Sequence, residues 1–484
     1  MGLAGIFLGL GLLIWLSYRG WSVLVLAPIA ALIAALFAGE PLLAHWTQTF
    51  MGSAAGFLAS FFPLFLLGAV FGKLMDDSGS VQTIAAFMTE KLGAKRAMLA
   101  VVLAGALVTY GGVSLFVAFF VLAPMAQALF RAANIPARLM PAAIALGTST
   151  FTMSALPGTP AIQNAIPMPF FGTTAFAAPG LGLIASAIML GFGMWWLQRA
   201  EARARAAGES YGVASANAYV EAAEDPVVRE RATTASTFDP AEIEHGEHGG
   251  GTPGIVVALA PLVVVVLVNL LMALVVLPRM DTEYLAEPRF GGITLASVGG
   301  VWAVLVALAA AMLVLVALNW KRLPSLRATV DAGANASVLP VVGVASLVGF
   351  GAVVAALPAF ELVREWVLGI EGGPLVSLAL STNILAALTG SASGGLTIAL
   401  DALGGTFMEL AATTGLDPAL MHRVAVIGAG TLDSLPHNGA VVTLLAVCGT
   451  KHRESYFDIV MVGIVGALIA LVAVIVLGTA FGSF

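Results

Sequence analysis

The chain has 484 residues, 60% of them hydrophobic and 10% charged, with a formal net charge of −6 and a mean hydropathy of +0.99. A soluble globular protein is roughly half apolar and about a quarter charged, so this composition excludes a water-soluble fold, and the mild acidity gives no nucleic-acid-binding signal. The single cysteine, Cys448, excludes an internal disulfide and a cysteine-cluster metal site.

The apolar start, residues 1–16, carries no Lys or Arg and no small-residue cleavage site, so it is expected to be a retained span with an external N-terminus. Further runs at 255–277, 295–318 and 459–480 approach the ~20 apolar residues that cross a hydrocarbon core. Only the segment 201–252 breaks this pattern. It is rich in Ala, Glu, Arg, Ser and Gly and reads as a flexible cytoplasmic linker. Its Glu244–His248 stretch lacks the rigid scaffold a metal site needs. The linker divides the chain into a first membrane repeat, 1–200, and a second, 253–484.

Basic residues orient the spans. Placing Arg19, Lys73, Lys91, Lys95, Arg96, Arg131, Arg138, the five arginines from Arg199 to Arg231, Lys321, Arg322, Arg327, Lys451 and Arg453 inside leaves only Arg279, Arg289, Arg364 and Arg423 outside. Arg96 and Arg131 then share a face, although two full crossings need about 40 residues plus a turn and only about 35 separate them. Residues 98–130 are therefore expected to form a re-entrant hairpin tipped at Thr109, Tyr110, Gly111 and Gly112. The counterpart is 375–403, tipped at Thr389–Gly395. With five crossings per half, the second half runs upside down: an all-α polytopic fold of two inverted repeats, each with about five transmembrane helices and a hairpin.

The letters repeat in the same order. Gly111 and Pro157 are 46 residues apart, as are Gly390 and Pro436. Pro63 parallels Pro340, and Pro136-Ala137-Arg138-Leu139-Met140 parallels Pro418-Ala419-Leu420-Met421. Each half also contains a helix expected to break at membrane depth, 139–175 with its polar interruption at 148–160, and 419–450 with its interruption at 428–439. Such backbone survives only where protein or a water-filled cavity covers it.

These breaks nominate the site. Substrate is expected to meet Tyr110, Gly111, Ser114, Ser154, Gly158 and Thr159 from the first half, and Ser391, Ser393, Gly394, His437 and Asn438 from the second. No Lys or Arg is expected at the site, so helix ends and hydroxyls supply the positive potential, which suits a small monocarboxylate. No acidic residue occurs between Glu90 and Glu201, so the first half is expected to offer no buried carboxylate. Coupling falls to His437, Asp433 and Asp401, since an ionisable group at membrane depth marks an ion pathway. His422, Arg423 and Glu409 read as interfacial, and Trp195, Trp196 and Trp320 as aromatic-belt anchors. Ser434, Asp433 and His437 superficially form a hydrolytic triad, but no G-x-S-x-G or H-E-x-x-H motif accompanies them.

At 68–73, 110–124, 133–136, 390–392 and 428–438 the sequence resembles the gluconate:proton symporter (GntP) family of the ion-transporter superfamily. The stretch 435–443, continuing to 452–456, is similar to D-β-hydroxybutyrate permease-like members. The sequence departs from the gluconate pattern in two places. Gly111 follows the hairpin tyrosine in place of an acid, and 156–160 lacks the family's histidine; both favour a smaller, less hydroxylated acid. The resemblance implies a bacterial inner-membrane carboxylate symporter, not an enzyme, driven by H⁺ or alternatively Na⁺, with no cofactor. It also implies a homodimer in the lipid bilayer, with an elevator-like moving domain that carries hairpins and broken spans.

Overall fold

The computed structural model describes residues 1–17, 19, 21–212, 251–436 and 438–484. Every regular element among them is helical. The helices are α1 (Gly2–Ser17), α2 (Val23–Ala38), α3 (Leu42–Asp77), α4 (Ser80–Leu92), α5 (Ala97–Tyr110), α6 (Leu115–Ala133), α7 (Met140–Thr148), α8 (Phe151–Ser154), α9 (Ile162–Ala165), α10 (Pro167–Phe171) and α11 (Pro179–Ala206). After residue 250 come α12 (Ile255–Arg279), α13 (Leu295–Arg322), α14 (Leu326–Ala356), α15 (Phe360–Leu368), α16 (Pro374–Thr389), α17 (Ala392–Thr414), α18 (Pro418–Thr431), α19 (Gly439–Val447) and α20 (His452–Phe481). Among the described residues seven helices are long and apolar enough to cross a membrane, or eight if α4 and α5, bent by 100° at Gly93, count as one span.

Composition alone does not say which side of an apolar helix meets lipid, but the packing does. On α12, Val256, Val263, Leu267 and Leu274 lie on an exposed face, while Ala258, Leu262, Val265 and Asn269 turn inward. Both faces are apolar, so the distinction rests on residue size and contact rather than on polarity. Small residues let helix backbones approach in lipid, where no hydrophobic drive distinguishes protein from solvent.

The inversion is visible in one contact. The long helices α3 and α14 pack along their lengths, with Phe50 against Gly349 and Val70 against Gly333, and with Thr329 bonded to Asp77. Residue numbers rise along one helix as they fall along the other, so the pair is antiparallel and Pro63 sits level with Pro340. A methyl group on Gly333 would lie 2.7 Å from Val70 Cα, so the backbones touch. Equivalent helices running in opposite directions are what inverted repeats require. The flanking pairs are exchanged: α2 packs on α14, whereas α13 packs on α3.

Around this axis lie two helical hairpins. Helices α5 and α6 turn at 111–114; α16 and α17 turn at Gly390 and Ser391, where Gly390 has φ +65° and Ser391 Oγ caps Gly394 N–H at 3.2 Å. A side chain on Gly395 would collide with the Ala386 backbone, which shows how closely these arms meet. The second arm extends to Thr414, beyond the expected end near 403, and is itself long enough to span. The two interrupted helices are α7–α10, irregular at 155–161, and α18–α19, irregular at 432–436 and at 438. At the linker, α11 continues to Ala206, past the expected boundary at 200. The remainder of the linker from 213 to 250, including Glu244–His248, lies outside the described residues.

Candidate functional site

The first interruption is held in place by backbone carbonyls. Tyr110 donates its hydroxyl to Pro157 O at 2.7 Å, which ties the hairpin tip to the break. Gly158 takes φ +82°, donates its N–H to Ala175 O at 2.9 Å and accepts from Asn269 Nδ2 at 3.2 Å. Thr159 is fully buried; its carbonyl accepts from Asn164 Nδ2 at 3.0 Å, and its hydroxyl accepts from Ala161 N–H at 3.3 Å. Ser154 donates back to Thr150 O at 3.1 Å. The polar letters that drew attention in the sequence are thus largely spent on holding irregular backbone, as buried peptide groups demand.

Beside them lies a cavity of about 130 Å³. One wall is the antiparallel pair, with Leu64, Phe65, Gly68 and Ala69 from α3 and Ala336, Ser337 and Pro340 from α14. The other is the first hairpin tip, Thr109 and Gly112–Leu115, together with Met153 and Pro160–Gln163. Pro340 has no N–H, so the Ala336 carbonyl loses its helical donor at this wall. Gln163 is 5% exposed and lines the cavity; among the described residues no hydrogen bond is made by its amide, so a polar occupant of the cavity can pair with it. Gly112, at φ +99°, allows the tip to approach: a methyl there would lie 2.8 Å from the Pro160 ring. Of the expected contacts, Ser114 lines this cavity; Gly111 packs against Leu262 instead.

The second interruption forms a separate polar centre. Asp433, half-buried, accepts through Oδ1 from the Ala392 N–H at 2.8 Å and from Asn438 Nδ2 at 2.7 Å. Asn438 also donates to Gly390 O at 2.8 Å, and its Oδ1 caps α19 by accepting from Ala440 N–H at 2.7 Å. The start of α17 therefore already faces a carboxylate, which is where a helix N-terminus favours one. Ser391 and Ser393 share a hydrogen bond at 3.2 Å, and Gly394 is buried behind them. The two interrupted helices touch where a methyl on Gly430 would lie 3.0 Å from Ser154 Cβ. Asp401 sits on an exposed face of α17, nine residues and so about 14 Å along the axis from Ala392. His437 lies outside the described residues.

Two sequence expectations are corrected here. Arg423 and His422 are not interfacial; both are fully buried. His422 Nδ1 meets Thr173 Oγ1 at 2.6 Å and its Nε2 meets Asn164 Oδ1 at 3.2 Å. Arg423 donates to Ala177 O, Ser154 O and Asn164 Oδ1. They look interfacial in the sequence because Asp417 and Pro418 precede them closely, yet both turn inward: Arg423 satisfies backbone carbonyls of the other repeat, and His422 meets the side chains of Thr173 and Asn164. The first half also has buried carboxylates: Asp76 and Asp77, at the end of α3, are 0% and 1% exposed. Lys73 Nζ lies 3.8 Å from Asp77 Oδ1, and Gln82 donates to Asp76 at 2.9 Å. Both aspartates precede Glu90 and so lie outside the acid-free stretch between Glu90 and Glu201, although the i, i+4 spacing of Lys73 and Asp77 within an apolar helix is a readable signal.

An inverted repeat of apolar helices with an interrupted helix in each half, one of them lining a cavity, is the architecture of a membrane transporter rather than an enzyme. The comparisons identify which kind. The profile of the GntP family permeases matches residues 1–178. The chain is 39% identical over 483 residues, 98% of both chains, to a Bacillus subtilis (strain 168) protein described as the uncharacterized transporter YxjC. It is 33% identical over 164 residues, covering 33% of this chain and 35% of that one, to the high-affinity gluconate transporter of Escherichia coli (strain K12). The chain belongs to the GntP permease family and is a multi-pass membrane transporter. Its fold is also similar to the crystal structure of the Alcanivorax borkumensis YdaH transporter, described as having an unusual topology, with a TM-score of 0.55, 16% identity, and coverage of 92% of this chain and 91% of that one.

Proposed function

We propose that the protein is a bacterial inner-membrane symporter that carries a small hydroxy- or keto-monocarboxylate, of 3-hydroxybutyrate or gluconate type, together with a proton. The observation that carries this reading is the cavity between the α3–α14 pair and the first hairpin tip. It is mostly apolar, with Thr109, Ser114, Gln163 and Ser337 as its polar side chains. A short acid with an apolar body and one or two oxygens fits that lining, whereas a polyhydroxylated chain leaves hydroxyls unpaired. The gluconate relative supports carboxylate cargo and matches about a third of this chain.

In this reading α3, α14 and their flanking pairs are the static frame, and the two re-entrant hairpins with the interrupted helices move against it, elevator fashion, within a homodimer. Asp433, bridging the second hairpin tip and the second break, exchanges the coupled proton with His437, while Ser391, Ser393, Gly394 and Asn438 shape its surroundings. The test is uptake of radiolabelled 3-hydroxybutyrate into proteoliposomes under an imposed pH gradient. Wild type is expected to accumulate the label, and Asp433→Asn to exchange it across the membrane without accumulating it. Full gradient-driven accumulation by Asp433→Asn, or by His437→Ala, contradicts the coupling role.

One observation favours sodium instead. Asn383 Oδ1, beside Thr382 on α16, is buried with no hydrogen-bond partner among the described residues, and an oxygen left so is a ready cation ligand. Accumulation that needs Na⁺ at constant pH selects this second reading.

A further inference from the structure

One fully buried charge stands without an opposite charge beside it. Arg423 on α18 is 0% exposed, and among the described residues no carboxylate lies within 4.0 Å of it. Its donors reach Ala177 O at 2.7 and 3.2 Å, Ser154 O at 3.3 Å and Asn164 Oδ1 at 3.4 Å, all formally neutral acceptors. The place is built for it: a methyl on Gly182 would lie 3.3 Å from Nε and 3.4 Å from Cζ. Asn164 presents its oxygen because its Nδ2 is committed to Thr159 O and Ala175 O. Burying a guanidinium without a counterion is expensive, and neutral carbonyls compensate it only partly.

The position matters as much as the charge. Ser154 and Asn164, which Arg423 holds, adjoin Met153 and Gln163, which line the cavity. The guanidinium therefore stands one residue behind the cavity wall. We propose that Arg423 is an electrostatic positioning residue: its uncompensated charge makes the cavity select carboxylates over neutral analogues of the same shape, without touching the substrate. The inference rests on the reading of this cavity as the substrate site, and it replaces the expectation that helix ends alone supply the positive potential. For any separation of about 10 Å and an effective dielectric of about 20, Coulomb's law makes one unit charge favour an anion by on the order of tenfold.

The test compares binding of 3-hydroxybutyrate with its neutral amide, and of lactate with lactamide, by thermal stabilisation of the purified protein. Wild type is expected to favour each acid. Arg423→Gln, which keeps a hydrogen-bond donor for the carbonyls, is expected to lower the acid-to-amide preference about tenfold while leaving amide binding in place. Arg423→Lys keeps the charge and the preference. Asn164→Asp, which leaves Arg423 intact but sets a counterion beside it, is expected to lower the preference as Arg423→Gln does, and decides the matter should Arg423→Gln not fold. A purely structural role moves acid and amide binding together. An unchanged preference in folded Arg423→Gln or Asn164→Asp overturns the inference alone; wild type that binds none of the acids overturns the cavity reading as well.

Discussion

Asn438 is the most informative residue to perturb, because three hydrogen bonds of different kinds meet on one buried amide. It caps α19 through Oδ1, donates to the Gly390 carbonyl at the second hairpin tip, and donates to Asp433. A cap contributes about 1 kcal/mol, a neutral buried hydrogen bond about 1 kcal/mol and one to a charged group about 1.5–3 kcal/mol. Asn438→Ala is therefore expected to destabilise the protein by about 3–5 kcal/mol, and Asn438→Ser, which retains the cap, by about 1 kcal/mol less. Unfolding of the purified variants in mixed detergent micelles measures both. A double-mutant cycle with Asp433→Ala, which removes the acceptor, isolates the third bond, with an expected coupling of about 1.5–3 kcal/mol if Asp433 is ionised and about 1 kcal/mol if it is neutral. A coupling near zero, or equal losses for Ala and Ser, refutes the reasoning that Asn438 locks the second tip to the second break.

Gly112→Ala places a methyl against the Pro160 ring at a left-handed backbone angle; uptake is expected to fall at least tenfold with stability lowered by about 1–2 kcal/mol, which transport assays and thermal melts on one preparation check. Gln163→Leu removes the unpartnered amide from the cavity wall, so the melting temperature is expected to hold or rise while the apparent affinity for 3-hydroxybutyrate falls about five- to tenfold. Arg138→Ala strips the ion pair from Asp458, 3% exposed and 2.8 Å from Arg138 Nη1, leaving it only Trp196 Nε1 at 2.9 Å. A loss of about 2–4 kcal/mol in the same unfolding assay is expected, as for a broken buried pair.

Much of the architecture was legible because lipid imposes a simple rule: backbone must be helical unless something shelters it. That rule marks the turns at 111–114 and at Gly390 and Ser391, and the interruptions after Ser154 and Leu432, and the Pro63–Pro340 match anticipates the antiparallel pair. The site was less legible, since a polar letter in a break does not reveal which way it faces. Tyr110, Ser154 and Thr159 hold backbone, while Gln163, three residues past the interruption at 148–160, lines the cavity. Arg423 shows the same limit from the other side. Its carbonyl partners come from Ser154 and Ala177, more than 240 residues away in the chain, and a long-range acceptor set leaves no trace in local spacing.

A substrate site in this protein requires water and substrate to reach the space between α3–α14 and the first hairpin tip. Ser337, 1% exposed at that wall, offers a direct probe, because the chain's one native cysteine, Cys448, is itself buried and replaceable by alanine. Ser337→Cys in a Cys448→Ala background is expected to react with a membrane-impermeant maleimide in proteoliposomes, and to be protected by 3-hydroxybutyrate or lactate but not by their amides. A cysteine there that stays unreactive throughout transport, or reacts at the same rate with every acid present, contradicts the central claim.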